Sequence, residues 1–69
     1  MSDHVYKRIE LVGTSTKSIE HAVETALARA HRTMRGIKWV EVGQVRGSVD
    51  GGKVNHWQVM MTIGFTLDE

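Results

Sequence analysis

A chain of 69 residues without cysteine reads as one small domain that has neither disulfides nor thiolate metal sites to staple it. Self-association is then the general route left to stabilise it. Nine Lys and Arg against eight Asp and Glu leave a formal charge of +1, so no global field attracts nucleic acid or a membrane surface. The opening "MSDHVYKRIE" lacks an apolar signal core, and no apolar run approaches the roughly 20 residues that a bilayer crossing needs. The expectation is a soluble, cytoplasmic protein.

Taken in chain order, residues 5–12 alternate imperfectly, with Val5, Ile9 and Leu11 on one side and Tyr6, Arg8, Glu10 and Val12 on the other. That pattern predicts a half-buried strand. "GTSTKS" breaks it, with Ser18 as the N-cap of a following helix and Glu20 favourable in the first turn. Ile19, Ala22, Val23, Ala26, Leu27, Ala30 and Met34 give one apolar stripe, predicting a helix from residue 19 to about residue 35 with Gly36 at the C′ position. Two strands joined by the hairpin signal "DGG" complete the chain. The order strand, helix, strand, strand predicts an α+β fold: a three-stranded antiparallel sheet wrapped around one helix.

One helix covers one face, so register decides what points away from it. Trp57, Val59, Met61, Ile63, Phe65 and Leu67 form an unbroken apolar row in the last strand. If Gly51 and Gly52 make the turn, Asp50 faces Lys53, Val42 faces Met61 and Val40 faces Ile63 on the helix-covered side. The same register sets Trp39 opposite Gly64 and Val45 opposite Gln58. Trp39, Glu41, Gly43, Val45, Gly47, Gln58 and Met60 then share the outward face, apart from any bulge at Gly43 or Gly47. Leaving an indole in water forgoes roughly 150 to 250 Å² of burial, about 4 to 6 kcal/mol gross at about 25 cal/mol per Å². Either an oligomer interface or a planar ligand covers it, and the glycines beside it and the Gln58 amide suit both.

Those residues resemble a known family. "ELVGTSTKS", "KWVEVGQVRG" and "WQVMMTIGFTL", at these separations and over nearly the whole chain, are similar to the dodecins, small flavin-binding proteins that assemble as hollow spheres of twelve subunits. The resemblance implies a homododecamer holding flavins in pairs at subunit interfaces. By it, Trp39 stacks on the isoalloxazine ring and Gln58 hydrogen-bonds the polar edge. It further implies riboflavin or flavin mononucleotide (FMN) as the ligand, coenzyme A as a second ligand of bacterial members, a storage and photoprotective role, and no turnover. Glu41, Val45 and Met60 line the pocket if the register holds. Arg46 is a candidate for assembly or phosphate contacts, although simple alternation starts it on the opposite face. Trp57 reads as helix-facing core.

Three other readings carry less. "GTSTKS" lacks a glycine directly before Lys17 and precedes a hairpin instead of a parallel crossover, so it reads as a helix cap and not a phosphate loop. Arg29, Arg32, Arg35 and Lys38 form a loose basic patch, but a nucleic-acid groove interleaves cations with aromatic rings, and only Trp39 and Tyr6 are outward candidates. His21 and His31 face different sides of the helix, which excludes a shared metal site between them, and no residue set supports an enzyme. The expectation is a flavin-binding storage protein; the alternative is a structural homo-oligomer or a small basic nucleic-acid module in which Trp39 is an interface anchor only.

Overall fold

The structure, a computed structural model, describes residues 3–67. It contains β1 (Tyr6–Ser15), α1 (Ile19–His31), β2 (Ile37–Asp50) and β3 (Lys53–Thr66). The strands form one antiparallel sheet, as expected, in the order β1-β3-β2. β3 lies between the other two and carries the centre of the core: Val59, Met61 and Ile63 are buried. α1 lays Ala22 against that row, with Val23, Ala26, Leu11 and Val40 packed around it.

The helix begins where its local chemistry dictates. Ser18 has extended backbone angles, and its hydroxyl accepts from the His21 N–H at 2.9 Å. Its end differs from the expected position near Arg35, because α1 stops at His31 and Arg32 is the C-cap. Ile37 already pairs with Phe65, so the chain needs the intervening residues to pass from the helix layer to the sheet. Gly36 makes that passage at φ 75°, and its carbonyl accepts from the Thr66 N–H at 3.1 Å. It is therefore an anchor between elements, well beyond the C′ position. β1 also runs further than residue 12, through Gly13 to Ser15. A Cβ on Gly13 would collide with the Ala22 carbonyl oxygen, so the missing side chain lets the helix settle on the strand.

At the hairpin, Asp50 pairs with Lys53 around Gly51 and Gly52, which both have positive φ, as a type I′ turn requires. Trp39 opposite Gly64, Val40 opposite Ile63 and Val42 opposite Met61 agree with the expected register. Between these ends lie two irregularities of opposite sense. The ladder passes from Val49–Val54 to Ser48–His56, leaving Asn55 over, and from Val45–Val59 to Val42–Met61, leaving an extra residue at Gly43–Gln44. Val45 consequently pairs with Val59 instead of Gln58, and Arg46 takes the place opposite Gln58. The outward placement of Val45 is thus corrected to the helix side, and the inward placement of Arg46 to the open face.

The chain is elongated, 56 × 21 × 13 Å along its principal axes. A 13-residue helix spans about 20 Å, whereas the 14-residue strands of the hairpin reach about 46 Å. The helix therefore covers only part of the apolar face. Val42, Val45, Val49 and Val54 continue that face past the helix and stay exposed, Val49 at 67%.

Candidate functional site

The open face is built in rows across the three strands. In the first, Trp39 of β2 and Arg8 of β1 flank Gly64 of β3, with Tyr6 next along β1 opposite Thr66. The indole lies across Gly64 and occupies the space that a Cβ there would need. It ends against the Tyr6 ring, with centroids 5.0 Å apart and planes inclined at 63°. Trp39 nevertheless remains 38% exposed. With the helix on the other face, nothing else among the described residues covers it.

Beyond the indole, Arg8 and Glu41 reach across β3 to each other at 3.6 Å, with side chains 64% and 68% exposed. Screening by water makes such a pair worth little in stability, and it marks the rim of the platform. A concavity of about 430 Å³ follows, lined by Val12, Gly43, Met60 and Thr62 among others. At its far end the Arg46 Nε donates to the Gln58 Oε1 at 2.7 Å. A guanidinium has no acceptor, so this bond fixes the orientation of the amide. Among the described residues the Gln58 NH₂, the second lone pair of its Oε1 and the terminal nitrogens of Arg46 are left over, so the polar head of the site offers several donors and one acceptor.

Of the residues expected to form the site, Trp39, Glu41, Met60 and Gln58 share the open face, Arg46 joins them, and Val45 does not. Tyr6 and Arg8 are the additions. Alternation in β1 sets both outward, but their adjacency to Trp39 and Glu41 depends on β3 lying between β1 and β2, which no local pattern reveals. One distance constrains the chemistry. Gln58 and Gly64 are six residues apart on the same strand, roughly 20 Å, which exceeds the reach of one three-ring heterocycle stacked on Trp39. Trp39 and Gln58 of a single protomer therefore cannot both touch one such ring.

The other candidate features have local explanations. Ser15, 7% exposed, accepts from the Lys17 and Ser18 N–H groups at 2.9 and 3.3 Å, and its Oγ lies 2.7 Å from the His21 Nδ1. With both lone pairs taken by backbone donors, the hydroxyl braces the turn, and those N–H groups are not free to cradle a phosphate. Arg29 and Arg32 belong to the helix layer, whereas Trp39 and Tyr6 lie on the opposite face of the sheet. The basic patch expected from the helix end is therefore not interleaved with these rings. Among the described residues no cluster of three or more His, Cys, Asp or Glu is placed to hold a metal ion, and no helix is long and apolar enough to cross a membrane.

Comparison with known proteins agrees with this architecture. The family model described as Dodecin matches residues 5–68. The curated dodecin of Thermus thermophilus is 46% identical over 65 residues, 94% of each chain. Among solved structures, dodecin from Streptomyces coelicolor superposes with a TM-score of 0.94 at 48% identity, covering 100% of this chain and 99% of that one. Dodecin from Streptomyces davaonensis gives 0.93 at 41% identity, covering 99% and 100%. A family match over nearly the full length, on the same strand order and the same helix-covered sheet, establishes that the chain belongs to the dodecin family.

Proposed function

We propose that the protein is a flavin-binding storage protein, taking riboflavin or FMN without turnover at sites completed by a second copy of the chain. The observation that carries this reading is the exposed indole of Trp39 lying across Gly64, with open space beyond it. An isoalloxazine ring is planar and apolar on its faces, which suits stacking on indole, and its pyrimidine edge carries carbonyl oxygens that accept hydrogen bonds on either side of an N–H that donates one. The Gln58 NH₂ and the guanidinium of Arg46 are donors for those carbonyls, and the remaining lone pair of the Gln58 Oε1 is an acceptor for that N–H. Met60 and Glu41 lie between platform and head, where they line the bound ring.

The separation of about 20 Å along β3 gives the reading its form. A flavin stacked on Trp39 of one protomer takes its polar contacts from Gln58 of another, so binding and assembly are linked. Self-association into a closed homo-oligomer, twelve subunits by resemblance to the family, satisfies this and also covers the apolar ribbon that α1 leaves exposed. When bound, the flavin supplies an excited state that indole in van der Waals contact quenches by electron transfer. The chain's own part is to hold the indole flat, orient the polar edge and exclude water.

Two measurements test this. Riboflavin or FMN titrated with the native protein is expected to lose fluorescence saturably. Trp39→Ala should keep the assembly and weaken binding on the order of tenfold or more. Subunits of Trp39→Ala and Gln58→Ala, mixed, dissociated and reassembled, should recover part of the lost binding, because some sites regain both side chains. Equal affinity for native protein and Trp39→Ala would leave the indole as an interface anchor only; no recovery on mixing would place both contacts within one protomer.

A further inference from the structure

The indole of Trp39 leaves β2, crosses the one position of β3 that offers no side chain, and finds its lateral support on β1. That support is Tyr6, in the edge-to-face arrangement that aromatic quadrupoles favour, with centroids 5.0 Å apart and planes at 63°. Arg8, the next outward residue of β1, is turned to Glu41 at 3.6 Å, and His4 stands on the other aromatic contact of Tyr6 at 6.2 Å. Tyr6 is itself 45% exposed, so burial in the protomer's core does not account for it. Without a ring at this point, an indole over a glycine is free to swing about its χ2 torsion, which is broad for aromatic side chains.

We propose that Tyr6 is a positioning residue of the flavin platform: it stands against the edge of Trp39 and fixes the plane on which the isoalloxazine ring stacks. This rests on the flavin reading above. Stacking attraction and electron transfer both require contact over the ring face, so the tilt of the indole controls affinity and quenching together. The role belongs to the aromatic ring of Tyr6 and not to its hydroxyl. A phenyl ring at position 6 should therefore serve, and an aliphatic side chain of similar bulk should not.

The test uses the full assembled protein carrying Tyr6→Phe, Tyr6→Leu or Trp39→Phe. In the ligand-free protein, the near-ultraviolet circular dichroism of Trp39 is obtained by subtracting the Trp39→Phe spectrum. It should persist in Tyr6→Phe and collapse in Tyr6→Leu. Riboflavin affinity should fall between about twofold and tenfold in Tyr6→Leu, the range expected for loss of one aromatic pair, and the bound flavin should retain more fluorescence. Tyr6→Phe should match the native protein in both. An unchanged dichroism band and unchanged affinity in Tyr6→Leu would overturn the proposal, and so would equal losses in Tyr6→Phe and Tyr6→Leu, which would make the hydroxyl the working group. If Tyr6→Leu fails to assemble, Tyr6→Met supplies the aliphatic comparison. Native flavin affinity in Trp39→Ala would remove the indole as the flavin platform alone, since the ligand-free dichroism still decides whether Tyr6 orients the indole.

Discussion

Gly64 sets how Trp39 lies. A methyl group there would overlap the six-membered ring of the indole, and the side chain, not the backbone, is what has to give. Gly64→Ala is therefore expected to lift the indole off the sheet at a stability cost of about 1–3 kcal/mol, with flavin quenching reduced far more than that cost alone explains. Urea unfolding beside a flavin titration separates the two effects; quenching that follows stability one for one would contradict the assignment. The opposition of Trp39 and Gly64 was legible in the sequence, because it follows from counting outward from Gly51 and Gly52. The positions of Val45 and Arg46 were not, because each irregularity adds a residue that alternation alone cannot locate. Gly43 marked a possible bulge, and the ladder has one at Gly43–Gln44, but nothing marked the compensating one at Asn55.

At the scale of the element, the two ends of α1 show which signals are local. Ser18 and Glu20 act within one turn, and the N-terminus falls where they place it. Ser18→Ala should remove the bond to the His21 N–H and lower stability by about 1 kcal/mol, measurable as a shift in the urea midpoint of the assembled protein with an unchanged slope. A midpoint equal to that of the native protein would mean that the neighbouring Ser15 brace carries the turn alone. The C-terminus is set from a distance, by the bond from Thr66 to Gly36 and by the need for Ile37 to reach Phe65. The apolar stripe runs on to Met34, so periodicity overshoots. Nothing within residues 32–36 announces that a strand thirty residues later claims them.

For the whole molecule, the mismatch between a short helix and a long hairpin is what calls for other copies. Val45 and Val54 extend the core face beyond the helix while 39% and 47% exposed, and the described residues of one protomer include no further element to lay over them. Val54→Asp, which sets a charge in that uncovered row, is predicted to shift the sedimenting species toward the 7.8 kDa protomer and, on the function proposed above, to abolish flavin binding in parallel, since the proposed site takes Trp39 and Gln58 from two copies. Sedimentation velocity across a dilution series checks this. A variant that dissociates yet still quenches flavin would separate binding from assembly.

The paired irregularities of the hairpin have a consequence for how its register is chosen. Because one offsets the other, the stretch between Gly43 and His56 has two possible ladders that share both ends: the observed one, and a straight one in which Val45 meets Gln58. What separates them is which of two neighbouring side chains, Val45 or Arg46, turns toward Val59 and Trp57, and the straight ladder would push a guanidinium into that apolar row. Exchanging the two residues, Val45→Arg with Arg46→Val, should therefore act as a switch, straightening the ribbon in its middle while the Gly51–Gly52 turn and the Trp39–Gly64 pair stay in place. Cross-strand amide contacts in the nuclear magnetic resonance spectrum would report it.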